Sequence, residues 1–247
     1  MMKQTLRPIR LLLGVVALLV TPFAVNAETV VVMEAKGVAL TPGQILDGAE
    51  PLALRPGQSV TLITRAGRIV RRTGPTRTPP APHIRGGEPG LSEVLGNLMA
   101  DSKRPITTPH GKRREAEIRF LNESADLSLP DPWLIDASIG GHRCHRRGDP
   151  LIFWRADDSQ DLPLRVHVGN GLWSGSVVWK TGKSKLMLPS STPQLNGVAY
   201  YFHSPGRDTT VVIHEIPDSV QDGPVAAAWM KEKGCLAQFK TMARTLR

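Results

Sequence analysis

The sequence predicts a mainly β protein: two small antiparallel, sandwich-like β modules joined by a Pro/Gly-rich linker and a short helix, with a helical tail at the C-terminus. Three observations predict it. Residues 28–75 and 127–217 break into short β-branched and aromatic runs separated by Gly, Pro, Asn and Asp, the spacing of antiparallel hairpins rather than of alternating strands and helices. Residues 76–90 combine Thr78-Pro79-Pro80-Ala81-Pro82 with Gly86-Gly87-Glu88-Pro89-Gly90, a composition that buries little apolar area. A helical period is confined to residues 91–101 and to the tail, 223–246.

Residues 1–27 read as an address. Lys3, Arg7 and Arg10 form a basic start without acids, residues 11–20 are an apolar run, and Val25-Asn26-Ala27 sets small residues at a cleavage site between Ala27 and Glu28. This is the pattern of a secretory signal peptide; the alternative, an uncleaved membrane anchor, is disfavoured by so short a run. Cleavage takes three positive charges from a net +9 and leaves +6, with no transmembrane segment in the mature chain.

In the first module, residues 28–75, Thr29-Val30-Val31-Val32-Met33 is a strand and residues 38–44 lead into a turn. Residues 51–54 precede Pro56-Gly57, and Ser59-Val60-Thr61-Leu62-Ile63-Thr64 alternates with period two. Ala66-Gly67 then turns the chain so that residues 68–73 return as the second arm of a hairpin. The linker, 76–126, carries the helix 91–101, capped by Ser92 and apolar at Leu91, Val94, Leu95, Leu98 and Met99, followed by a basic loop at residues 103–119.

The second module, residues 127–247, has strand candidates at 151–155, 164–168, 172–179, 185–188, 198–202 and 209–216. Trp154, Trp173, Trp179 and Tyr200 supply core area, with a ligand-stacking platform as the alternative. Gly223-Pro224 opens the tail, Gly234 ends its first helix, and Leu236, Phe239, Met242, Ala243 and Leu246 line one face of a second. The tail is expected to close the second module.

Composition excludes several classes. Hydrophobic residues at 40% and charged residues at 21% are ordinary for a globular chain, and two cysteines rule out a disulfide-dense scaffold or a four-cysteine zinc site. In an oxidising compartment Cys144 and Cys235 are the one pair able to form a disulfide, which would staple the tail to the start of its own module; the alternative is two separate buried thiols.

Leu52-Ala53-Leu54-Arg55-Pro56-Gly57-Gln58-Ser59-Val60-Thr61-Leu62-Ile63, with Gly67 and Thr73-Gly74-Pro75, resembles the strand signature of FecR-like exported β modules. Asp131-Pro132-Trp133-Leu134-Ile135-Asp136, Cys144, Phe153-Trp154-Arg155, Ala228-Trp229-Met230 and Gly234-Cys235-Leu236-Ala237-Gln238 are similar to a family of exported Gram-negative bacterial proteins with a β domain ending in a Trp and Gly-Cys helical tail. The resemblance implies export and pairing of the two cysteines, and brings no known catalytic residues.

Catalytic signatures fail on spacing. Gly182-Lys183-Ser184 lacks the first glycine of a phosphate-binding loop, Val177 standing there. His214-Glu215 has Asp218, after Pro217, where a second zinc-binding His is needed, and Ser174 lacks the preceding Gly of a nucleophile elbow. His142-Arg143-Cys144-His145-Arg146-Arg147 reads as a solvated basic loop, with a metal site as the alternative opposed by its arginines. Asp157, Asp158 and Asp161 read as a solvated turn, with calcium as the alternative.

Basic residues gather at Arg65, Arg68, Arg71, Arg72 and Arg77, and at Lys103, Arg104, Lys112, Arg113, Arg114 and Arg119. Such a field favours anionic surfaces, the alternative being ordinary solubilising charge; no nucleic-acid motif accompanies it. The sequence thus predicts an exported periplasmic, non-catalytic binding or scaffolding protein, without a cofactor, whose partner is a protein or an envelope component. The alternative is an envelope-polymer hydrolase with a site assembled from distant residues, Asp131, Asp136 and Glu215 being the available carboxylates.

Overall fold

Continuous apolar runs, not strictly alternating ones, build the N-terminal half. The computed structural model describes residues 28–81, 129–169, 171–220 and 223–246, together with Gly96. Strand β1 (Thr29–Lys36) lies between β2 (Ile45–Asp47) and β4 (Ser59–Thr64), and β5 (Ile69–Thr73) completes an antiparallel sheet in the order β2-β1-β4-β5. The chain between β2 and β4 forms β3 (Leu52–Leu54), which pairs with β6 (Thr76–Thr78). A bulge between Val32 and Glu34 shifts the register of β1 against β4. Val30 and Val32 pack with Leu54, Val60 and Leu62 in the core of this module, whereas Val31, Met33 and Ile63 point the other way. The run from Val30 to Met33 is therefore buried on both faces, which is why it does not alternate.

The module extends beyond Pro75. Thr76–Thr78, expected to begin the linker, is a ladder strand, and Ala81 is buried with its amide donating to the Gly48 carbonyl at 2.9 Å. Backbone pairing holds this Pro-rich stretch where composition alone suggested solvation. The expected helix 91–101, Gly96 apart, and the basic loop 103–119 lie outside the described residues.

The C-terminal half is a sandwich. One sheet has the order β11-β10-β13-β14-β8, from β8 (Gly141–Arg146), β10 (Leu162–Val168), β11 (Trp173–Trp179), β13 (Val198–Ser204) and β14 (Arg207–Ile216). The other has the order β12-β9-β7, from β7 (Ile135–Asp136), β9 (Ile152–Trp154) and β12 (Lys185–Met187). Pairing is antiparallel except for β14 with β8 and β7 with β9, which run parallel. Between the sheets lie Phe153, Val166, Trp179, Tyr200, Phe202 and Ile213, with Phe153 edge-on to Phe202 at 5.0 Å. Trp179 and Tyr200 serve the core as expected; Trp154 joins a small separate cluster with Leu129 and Leu134, and Trp173 is half-buried at the rim.

Strand β8 corrects the reading of residues 142–147 as a solvated basic loop. Its polar side chains hid the strand, because Arg143 and His145 are buried rather than solvated. Arg143 turns the two terminal nitrogens of its guanidinium onto backbone, donating to the carbonyls of His142 and Ile139 at 2.8 Å each.

The tail forms α1 (Gly223–Glu232) and α2 (Leu236–Thr245). Gly234, at φ 78°, ends α1 as expected: its amide donates to Lys231 and that of Cys235 to Met230, the paired bonds of a Schellman turn. The tail does more than close its own module. Ala226, Ala227, Trp229, Met230 and Phe239 share one core with Val31, Met33 and Ile63 of the first module and with Ile216 of the second. Glu232 of α1 pairs with Arg71 on β5, and Ser219 donates to the Gly43 carbonyl at 2.6 Å. Chain approach is so close there that a Cβ on Gly67 would lie 2.7 Å from the Pro224 oxygen.

Trp229→Ala should therefore destabilise by about 3–5 kcal/mol, the usual cost of deleting a buried Trp, and should do so in both halves. Hydrogen exchange is expected to speed up in β1 and β4 as well as in β14. A variant that loosens β14 alone would show that the halves do not share this core.

Candidate functional site

The five-stranded sheet has two edges, and the chain treats them differently. At β8 the edge is closed. The Cys144 amide donates to Gln238 Oε1 and Gln238 Nε2 donates to the Cys144 carbonyl, each at 2.6 Å, so one fully buried side-chain amide stands in for a neighbouring strand. Cys144 and Cys235 form a disulfide beside it, bridging β8 to the start of α2.

On the face of β8 that carries Cys144, His142 Nδ1 lies 2.8 Å from His214 Nε2 on β14. One ring must donate to the other, so the bonded pair is neutral on at least one side. Burial first, then His142 and Lys233, push the pKa of His214 down to about 4. His145 falls on the opposite face of β8 by strand alternation, where burial lowers its pKa. His142, Cys144 and His145 therefore do not converge, and among the described residues no group of three His, Cys, Asp or Glu is placed to hold a metal ion.

At β11 the edge is open: among the described residues no strand pairs with its far side. Its seven residues, Trp-Ser-Gly-Ser-Val-Val-Trp, include no charge and no proline, the usual protections of an edge. The Val168 carbonyl accepts from Leu172, and the Gly169 amide donates to Ala199 on β13. This sets Leu164, Val166 and Val168 to bond with β11, and Arg165 and His167 to bond with β13. Ser174, Ser176 and Val178, opposite His167, Arg165 and Pro163, thus turn their own N–H and C=O groups outward. Gly175 has a separate role, since the Trp173 ring lies across it and a Cβ there would meet that ring at 2.6 Å.

Apolar surface and positive charge border this edge. Leu172 is 63% exposed and Val178 45%; Met187 on β12, the next strand along the chain and an edge of the other sheet, is 63% exposed. A shallow groove of about 670 Å³ runs beside β11, lined among others by Arg165, His167, Ser176, Val178 and His203. His167 and His203 pack edge to face at 5.3 Å, and His203 lies 3.0 Å from Asp208.

The sequence-derived carboxylates are elsewhere. Asp131 accepts from the Trp133 amide, buried Asp136 from the Ser138 amide and hydroxyl, and Glu215 pairs with Arg147. None of the three lines the groove. Asp161 accepts from Lys180 and Thr181, which hold its carboxyl down at about 2, and Asp157 accepts from Ser159, so each secures its own turn. Of the basic hairpin, Arg71 pairs with Glu232 and Arg72 donates to the Pro80 carbonyl. Arg165, His167 and His203 escaped the sequence reading, and Gln238 entered it only as part of the tail motif, without a role; the legible signal was a strand free of charge with serines at alternate positions.

Comparison of the chain with protein-family models and with curated proteins finds no match.

Replacing Gln238 by Leu should orphan the buried N–H and C=O of Cys144 at about 1–3 kcal/mol each, read as a lower urea midpoint. Titration of His214 sets a second expectation. Between its folded value of about 4 and an unfolded value of about 6.5, the unfolded chain holds the proton and the folded chain does not. Stability therefore falls as pH drops through this window. His214→Gln should show a smaller loss of Tm between pH 7 and pH 4.5 than the parent, and an equal loss would remove His214 as a cause.

Proposed function

We propose that this is an exported, non-catalytic binding or scaffolding protein of the periplasm that docks a protein partner along the β11 edge. The observation that carries the proposal is the contrast within one sheet: β8 is clasped by Gln238 and a disulfide, while β11 keeps three residues with outward backbone groups and exposed Leu172 and Val178 beside them. Open strand edges recruit other chains, and an apolar border adds area that water does not favour. The signal-like start, the resemblance to FecR-like exported modules and the disulfide support an oxidising compartment. No helix among the described residues is long and apolar enough to cross a membrane.

The test is photo-crosslinking of the full chain in a Gram-negative host, with p-benzoylphenylalanine in place of Ser176 and, as a control, in place of the exposed Glu50. The mature protein should begin at Glu28 in the periplasmic fraction. Adducts are expected from position 176 and not from position 50. Retention of Met1 in the cytoplasm would overturn export, and absence of adducts at 176 would overturn docking at β11.

A further inference from the structure

Resting on that reading, the charge around β11 indicates what the docked segment is made of. Arg165 stands directly opposite Ser176 in the ladder, and His167 opposite Ser174. The small serines leave these longer side chains unobstructed toward the open edge, and a strand added to β11 would lie about 4.8 Å beyond it. Arg165 has no carboxylate partner among the described residues. Neither do Lys183 and Lys185, which lie in and just after the turn that leads from β11 to β12. Two of the nearby acids are already engaged, Asp208 with His203 and Asp161 with Lys180 at 2.8 Å; Asp158 lies beside the turn, its carbonyl accepting from the Gly182 amide. The edge is thus neutral along its backbone and bordered by unpaired cations.

We propose that β11 accepts an extended acidic segment of another protein as a sixth strand, with carboxylates at alternate positions facing Arg165 and His167. Main-chain bonds to Ser174, Ser176 and Val178 hold the strand. The alternating carboxylates select it, since a basic segment in the same register would face like charges. A second copy of this chain fits less well, because β11 carries no carboxylate to meet Arg165 of its neighbour.

The probe is a fluorescently labelled heptapeptide alternating glutamate and valine, titrated with the mature protein and followed by anisotropy at low and high salt. Saturable binding that weakens with salt is expected, with a lysine–valine peptide at least about tenfold weaker, a difference of about 1.4 kcal/mol. Ser176→Pro should abolish binding. Its lost N–H faces outward, so no bond to β10 is broken, and the preceding Gly175 tolerates a proline; an unchanged Tm checks the fold. Arg165→Glu should reverse the preference between the two peptides.

Equal affinity for both peptides would overturn the charge argument. Undiminished binding of a glutamate–valine peptide N-methylated at alternate residues would overturn strand addition. If neither peptide binds while photo-adducts persist at position 176, the acidic-strand inference fails and the docking reading survives. A dimer in sedimentation that Ser176→Pro dissolves would overturn the inference in favour of self-pairing.

Discussion

Val31, Met33 and Ile63 form an apolar patch on the back of the first sheet, and the residues packed on it come from the opposite end of the chain. Trp229, nearly fully buried, with Ala226, Ala227, Ala228 and Met230 around it, makes α1 the shared wall of two modules. The small alanines matter as much as the indole, because they let strand and helix backbones approach, as the contact of Gly67 with Pro224 also requires. Burial of apolar area is worth roughly 25 cal/mol per Å², so a joint core this rich makes separation of the halves costly. The halves are best regarded as one folded body.

From that placement the asymmetry of the second sheet follows. Once α1 lies between the modules, the Schellman turn at Gly234 directs α2 back across β8. There Gln238 satisfies the two backbone groups of Cys144, and the disulfide ties the same point covalently. A strand edge needs a partner for each outward N–H and C=O or contact with water. At β8 the tail provides it; at β11 nothing among the described residues does. The His142–His214 pair belongs to the closed end, and the depressed pKa of His214 makes that end sensitive to acid.

Much of the strand pattern was legible from neighbouring residues. Ser59–Leu62 alternates because Val60 and Leu62 face the module's own core, and Gly234 marks a helix end because its backbone is left-handed. Thr76–Thr78 and Gly141–Arg146 were not legible as strands. The first sits between prolines, and the second carries arginines and histidines, of which Arg143 is buried by folding back on the carbonyls of His142 and Ile139 beside the Asp136 carboxylate of β7. Periodicity of hydrophobic residues has no access to such partners. The groove residues Arg165, His167 and His203 were invisible for a related reason: they come together only when β10 pairs with β13.

The class of fold, the course of most strands, the two tail helices and the one possible cysteine pair follow from local composition and spacing, because turn propensity and side-chain alternation act over a few residues. The union of the modules through Trp229, the amide clasp on β8 and the exposure of β11 arise from packing between segments far apart in the chain. Which face is covered and which edge is left open depends on where the tail comes to rest, and that is settled by burying its apolar surface against two sheets at once.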